Sequence, residues 1–391
     1  MSTAHALQNA ARRPSRLADW LTRLVADGTP TSFTVHTAEG ERLQIGSGTP
    51  QFEIVIHNPA CYRAFRSLNE PQLAVAYIRG DFDVEGDLVA ALQLRDQMKD
   101  RSHWLKLWRR LAPLLFGRER FNPEWIAKHY DMGNIQFFAT ETAYRTYTPG
   151  TYLSDDESLE SGAARKLEFA FNSLGLKAGD TLLDVGCGWG GFLRYASERG
   201  VRVTGITLSR DQHAHVSSLI KEHSLPAEVL YQDFFTFEPQ DTFDAVSMMG
   251  VIEDLSDYHL VMKRLPRYLR TGGRVYLDYA TTRKRFDTSS FITRYVWPGT
   301  FRLVYLPEML DAVNQSSFEL VGLYDDRHNY YLWSKGVHDR WLERKAAILE
   351  RASAEQYRML RLLYAGAAAL MSTPAHGAGA CRMVLQHFAR P

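Results

Sequence analysis

Apolar residues along this chain recur with two different periods. In SFTVHTAEGERLQIGSG and FEIVIHN they alternate with polar ones around an AEGE turn, which predicts a hairpin or small sheet. A helical spacing precedes these segments, from Arg16 to Val25. A second follows from about Pro59 to Leu68, and the run EPQLAVAYIRGDFDVEGDLVAALQLRDQM comes next. The first 118 residues therefore read as an α+β unit without a catalytic constellation. From about Asn122 the pattern changes. Short apolar runs appear in TLLDVGCGWGGF, VRVTGITLS, AEVLYQDFF, FDAVSMMG, GGRVYLDYA and FELVGLYDD. Helical stretches such as SGAARKLEFAFNSLG and DYHLVMKRLPRYL separate them. Strands alternating with helices predict a parallel, doubly wound sheet. The expected architecture is an α/β, Rossmann-like domain over residues 119–391, preceded by a smaller α+β domain over residues 1–118.

The two patterns are joined by KDRSHWLKLWRRLAPLLFGRERF. There Trp104, Leu105, Leu107, Trp108 and Leu111 interleave with Lys106, Arg109 and Arg110. A basic amphipathic stretch with tryptophans can lie in a membrane interface. It can equally be a linker helix packed between domains, and both readings stay open.

Composition narrows the function classes. Lys+Arg number 46 against Asp+Glu 45, a net charge of +1. That balance excludes a global electrostatic grip on nucleic acid. Cys61, Cys187 and Cys381 are far apart and not in CxxC pairs, so neither a disulfide framework nor a metal site is expected. The N-terminus lacks the apolar core of a signal peptide. No stretch approaches the ~18 uninterrupted apolar residues of a membrane span. The expected location is cytoplasmic.

The chemistry concentrates at Asp184-Val185-Gly186-Cys187-Gly188-Trp189-Gly190-Gly191, between an apolar run and a helical pattern. Glycines there let the backbone turn tightly and approach a ligand. The loop reads DxGxGxGG and lacks the GxGxxG register of a dinucleotide fingerprint. In methyltransferases such a loop wraps the amino-acid end of S-adenosylmethionine. Gly186, Gly188 and Gly190 are then cofactor contacts, and Asp184 orients the loop or the ligand's ammonium. The plain alternative is a tight strand–helix turn. The second strand ends at Thr207 with no acid for a ribose, so Thr207 and Gln212 are the neutral hydrogen-bonding candidates. Ser209 with Gln212 three residues on also reads as a capping box, and the two roles are compatible. Gln232-Asp233-Phe234, after the third strand, stands where an adenine is usually held. Asp233 can accept from its amine and Phe234 can wall the ring.

The combination of HYDMGN, LDVGCGWGGF, GITLSRDQ, YQDF and YVWPG resembles the cyclopropane fatty acid synthase family, which includes the mycolic acid methyltransferases. The resemblance covers about Asn122 to the C-terminus. The N-terminal unit is similar in size and placement to the lipid-associated domain of bacterial cyclopropane synthases, with GDFDVEGDL where they carry a comparable segment. The resemblance implies methyl transfer to the double bond of an unsaturated phospholipid acyl chain, through a carbocation that loses a proton. It also implies a peripheral position on the inner face of the membrane, and a homodimer.

In that family the proposed base is a bicarbonate held by a Glu, a His, a Tyr and a backbone amide beside a Cys. The cofactor-side hydroxyls carry over to Tyr147 and Thr148, but the Cys is absent and Pro149 has no N–H to donate. The Glu carries over to Glu253, followed by Asp254. The His falls on Asp278. The Tyr falls on His338, with Tyr330 and Tyr331 nearby as substitutes. A site with Glu253, Asp254 and Asp278 is expected to be more anionic than the family's and not to hold bicarbonate in the usual way, since anions repel it. Glu253 or Asp278 then stabilises the cation or takes the proton itself, with His338 and Tyr331 as further catalytic candidates. The ordinary alternatives are a surface salt bridge for Glu253, a strand-end acid capped by hydroxyls such as Thr281 for Asp278, and a helix-face histidine for His338. Two other function classes compete. One is a small-molecule amine methyltransferase, since plant alkaloid N-methyltransferases resemble the same family. The other is a non-catalytic lipid-binding protein on this fold.

Overall fold

The computed structural model describes residues 32–67, 69–94, 142–146, 148–255, 257–284, 291–292, 296 and 302–388. The Trp-rich connector, HYDMGN, Tyr147 and all of YVWPG except Val296 lie outside the described residues. The chain divides into two compact units, residues 1–101 and 102–391.

In the first unit, strands β1 (Phe33–His36), β2 (Arg42–Ile45), β3 (Phe52–Ile56) and β4 (Phe82–Gly86) form one sheet in the order β2-β1-β3-β4. β1 and β2 are the expected antiparallel hairpin. Phe52, Ile54 and Ile56 point to the core while Glu53 and Val55 are half-exposed, the period of two seen in the sequence. Helices α1 (Tyr62–Ser67), α2 (Glu70–Arg79) and α3 (Leu88–Gln93) complete this unit. Asn69 caps α2 by accepting from Gln72 N–H, and Asp87 caps α3 by accepting from Ala90 N–H.

The first described helix of the second unit is α4 (Leu159–Leu174). The unit continues with β5 (Thr181–Val185), α5 (Gly191–Ser197), β6 (Arg202–Thr207), α6 (Arg210–Glu222), β7 (Ala227–Tyr231), β8 (Phe243–Met249), α7 (Tyr258–Arg264), β9 (Leu269–Thr282) and β10 (Val304–Tyr305). α8 (Leu306–Asn314), β11 (Phe318–Asp325), α9 (Arg327–Glu343), α10 (Lys345–Leu349), α11 (Ala354–Met371) and β12 (Ala378–His387) follow. The sheet has eight strands in the order β11-β12-β9-β8-β5-β6-β7, with β10 paired to the end of β9. β12 runs antiparallel to both neighbours and the other pairings are parallel. This is the expected doubly wound, Rossmann-like sheet. Its strands read as nearly continuous apolar runs because helices cover both faces. Leu183, Val185, Val246, Met248 and Leu277 pack into one layer, and Leu182, Ala245 and Tyr276 into the other. β12 was not among the strands read from the sequence; AGACRMVLQH is buried on both faces and shows no alternation.

The chain steps outward from β5 through β6 to β7, then returns to β8 on the other side of β5. Such a reversal opens a crevice at the carboxyl ends of the strands, where ligands bind in this architecture. No described helix is long and apolar enough to cross a membrane.

Candidate functional site

A pocket lies at this reversal. Val185 and Gly186 at the end of β5, Ile206 to Ser209 at the end of β6, Gln212 on α6, Gln232 and Phe234 after β7, and Gly250, Val251, Asp254 and Leu255 after β8 line it. Gly186, Gly188 and Gly190 have φ of +64°, +55° and +82°, a region that L side chains rarely enter. A Cβ on Gly186 would lie 2.5 Å from Val251 Cγ2. The loop is thus built for close backbone approach, as its sequence implied. Asp184 is buried below it and accepts a 2.6 Å hydrogen bond from Ser247 on β8. Burial pushes its carboxyl up to about 7, with nearby Asp278 adding and Ser247 opposing. It therefore ties β5 to β8 beneath the loop.

Thr207 is buried and central to the polar side of the pocket. Its hydroxyl donates to Gln212 Oε1 at 2.7 Å and accepts from Ser209 N–H at 3.2 Å. Ser209 caps α6 by accepting from Gln212 N–H. Only half of the capping box forms, since Thr207 takes the N–H that the Gln212 side chain was expected to hold. Across the pocket, Gln232 donates to Thr236, and Phe234 packs edge-on to Tyr268. Asp233 is not part of the pocket wall itself. Its Oδ1 accepts from Phe235 N–H at 2.6 Å, while Oδ2 is buried without a hydrogen-bond partner. Burial raises its carboxyl above the usual range. Apolar walls, a close glycine backbone and neutral polar groups fit a nucleoside.

The same β8 loop that lines the pocket carries Glu253, which is buried rather than paired at the surface. Its Oε1 accepts from Ala280 N–H on β9 at 2.8 Å, and Oε2 has no hydrogen-bond partner. Burial pushes this carboxyl up to about 8, reinforced by Asp254 and Asp278. Asp278 is not capped by Thr281. Lys166 Nζ stands 2.9 Å from its Oδ2, an ion pair whose approach is off the line of a good hydrogen bond. Lys166 is 1% exposed and also donates to the Thr148 hydroxyl.

Lys166 sets a buried positive charge against the acids that made the site read as more anionic than the family's. With the Glu253 carboxyl pushed up to about 8 and a buried counter-ion beside Asp278, the site carries less negative charge than its three acids suggest. The sequence carried the signal. Leu159, Ala163, Lys166, Leu167, Ala170 and Leu174 form the buried stripe of α4, and a lysine interrupts it. The helix was read as ordinary packing because its stripe is otherwise apolar.

Tyr330 joins the acids. Its hydroxyl is pushed up by burial, with Glu253 and Asp278 adding to the effect. Tyr331 packs in the small cluster beside Ala280, and its ring stacks over His328 at 5.9 Å. His338 is 3% exposed on α9. Its Nδ1 lies 3.3 Å from Asp339 Oδ1 and its Nε2 has no hydrogen-bond partner. None of its described contacts reaches Glu253 or Asp278. Among the described residues no group of three or more His, Cys, Asp or Glu could hold a metal ion.

Known proteins are similar to this chain. A probable fatty acid methyltransferase of Mycobacterium tuberculosis is 33% identical over 251 residues, 60% of this chain and 57% of that protein's length. A probable fatty acid methyltransferase of Pseudomonas putida is 27% identical over 359 residues, 84% of this chain and 86% of that one. The solved structure of the cyclopropane synthase MmaA2 from Mycobacterium tuberculosis has the same fold, with a TM-score of 0.63 and 24% identity over 68% of this chain and 98% of that one. The model of the family described as mycolic acid cyclopropane synthetase matches residues 118–374, which span the glycine loop, Glu253, Asp278 and Lys166. That match covers more than half of the chain, and the chain belongs to the mycolic acid cyclopropane synthetase family.

Proposed function

We propose that this protein transfers a methyl group from S-adenosylmethionine to the double bond of an unsaturated fatty acyl chain in a membrane phospholipid. The observation that carries this reading is the continuity of two environments on one loop. Gly250, Val251, Asp254 and Leu255 line the nucleoside-like pocket, while Glu253 turns into the buried acid cluster of β9. Family membership and the names of the relatives supply the acyl substrate.

The loop glycines and Asp184, with Thr148, would hold the amino-acid end of S-adenosylmethionine. Thr207 and Gln212 would hold the ribose, and Gln232, Asp233 and Phe234 the adenine. Bound there, S-adenosylmethionine supplies an electrophilic methyl on a sulfonium. The protein's own groups then deal with charge. An alkene needs no base to make it nucleophilic, so the work falls after attack, when the chain is cationic. Buried carboxyl groups stabilise positive charge strongly because little water screens them. Either Glu253 or Asp278 is close enough to the pocket loop to act on that charge. The changes at Pro149, Asp278 and His338 favour a methyl-branched or methylene product over a cyclopropane. We assign residues 1–118 as a lipid-associated domain and place the protein peripherally on the membrane.

The test is S-adenosylmethionine carrying a trideuterated methyl, mixed with liposomes of monounsaturated phospholipid, with the acyl chains weighed by mass spectrometry. Three retained deuterium atoms mean that the proton left the chain and a methyl-branched olefin formed. Two mean a methylene or cyclopropane product. No incorporation sinks the lipid reading in favour of a soluble amine substrate or a binding role, which binding of S-adenosylmethionine in calorimetry then separates.

A further inference from the structure

We propose that Lys166 is a positioning residue of the transfer reaction, which keeps Asp278 as the ion-paired carboxylate of the site and so makes Asp278, not Glu253, the proton acceptor. This rests on the reading above and goes beyond it by naming the base and what holds it.

A fully buried lysine is costly unless a partner compensates it. Lys166 reaches from α4 to two groups, the Thr148 hydroxyl and Asp278 Oδ2. The only other cation described near Asp278 is Arg382, directly opposite it on β12. Arg382 is already engaged, with Nε 2.6 Å from Asp326 Oδ2. The groups facing Asp278 from the remaining elements are acids and phenols. They are Asp184 on β5, Glu253 after β8, Tyr276 on β9, and Asp326 and Tyr330 at the start of α9. The acids repel Asp278 only when ionised and the neutral phenols bring no positive charge, so Lys166 is the described cation that pairs with it.

Glu253 is differently placed. One of its oxygens is committed to Ala280 N–H, and no ion pair to it is described. With its carboxyl pushed up to about 8, it carries a proton at neutral pH and cannot take another. The step then balances simply. A C–H bond of the methylated cation breaks, on the carbon next to the cationic one for an alkene or on the transferred methyl for a ring, and its electron pair forms the new C=C or ring bond. The proton goes to an Asp278 oxygen and is later released to solvent.

The experiment measures kcat against pH in the deuterated-methyl liposome assay for wild type, K166M, K166R, D278N, E253Q and K166M/D278N. Melting temperature and S-adenosylhomocysteine affinity are read in parallel. We expect K166M to lower kcat about a hundredfold, in the range of a lost general base, and to move the acid limb of the profile upward. K166R restores most of the rate, D278N loses as much as K166M, and the double variant loses no more. A K166M loss that merely follows its melting temperature, with an unchanged pH profile, overturns the assignment. So does an E253Q loss that exceeds that of D278N. If K166M does not fold, the double variant, which removes both charges together, and K166R carry the same comparison. A wild type inert on these liposomes overturns the substrate reading and this inference with it, whereas an active wild type with an unaltered K166M overturns the inference alone.

Discussion

Glu253 Oε1 and Ala280 N–H form a 2.8 Å hydrogen bond that ties the pocket loop to the end of β9. The bond holds a buried acid that prefers its proton, and this gives stability a pH signature. The folded carboxyl is raised to about 8 from an ordinary 4.5. Its contribution to stability is fully present below pH 4.5 and is lost as pH rises through 8. Asp184, raised from 3.8 to about 7, adds a loss of the same sign in a lower window. E253Q keeps the acceptor for Ala280 and removes the titration. Its melting temperature relative to wild type is expected to climb between pH 4.5 and pH 8 and to level off above that. Parallel curves for the two proteins would show that Glu253 does not titrate in that window.

Gly186 tests whether close approach at the loop matters for the cofactor. Its φ of +64° costs alanine about 1 kcal/mol. The added Cβ, 2.5 Å from Val251 Cγ2, also fills space at the pocket wall. G186A is expected to weaken S-adenosylhomocysteine binding at least tenfold in calorimetry. V251A added to it should recover part of the affinity by relieving the clash, but not the backbone strain. Wild-type affinity in G186A would mean that the ligand does not pack on this glycine.

Thr207 is a hinge of hydrogen bonds rather than a lone contact. T207V deletes a hydroxyl that serves both Gln212 Oε1 and Ser209 N–H. Two buried polar atoms then lose a partner, at about 1–3 kcal/mol each before relaxation. The expected result is a melting temperature lower by several degrees together with weaker cofactor binding, while T207S keeps both near wild type. A T207V protein as stable as wild type would show that the pocket repacks around the loss.

The strands of the parallel half could be read from the chain because each is an apolar run bounded by turn signals. β12 could not, since AGACRMVLQH is short of both alternation and a helical stripe. The glycine loop was legible because its backbone conformation demands glycine at Gly186 and Gly190. The acids of the second site were legible one by one, but their balance was not. Charge on Glu253 and Asp278 is decided by what packs against them, and Lys166 lies on a helix some 90–110 residues earlier in the sequence. Asp254 illustrates the same limit. It was grouped with the acids by adjacency, yet it also lines the pocket at the strand reversal. Sequence adjacency gives no direction for a side chain in a loop.

Asp233 offers the sharpest test of the adenine end. Its Oδ1 is used locally by Phe235 N–H, whereas Oδ2 is buried without a hydrogen-bond partner. A buried acceptor left unsatisfied is costly, and a ligand that brings a donor recovers that cost. The adenine amine is such a donor. D233N keeps an oxygen for the Phe235 turn but presents an amide donor where the acceptor stood. It is expected to leave the melting temperature of the free protein equal or slightly higher, since a buried carboxyl raised by desolvation is replaced by a neutral group. Affinity for S-adenosylhomocysteine should fall about tenfold, the ~1.4 kcal/mol of one hydrogen bond. The hypoxanthine analogue, which lacks the amine, separates base recognition from a general change in the pocket. Wild type should discriminate against it about tenfold, and D233N should not. If wild type binds both ligands equally well, Asp233 does not read the base, and its buried Oδ2 must be explained by the fold of the Gln232–Phe235 turn alone.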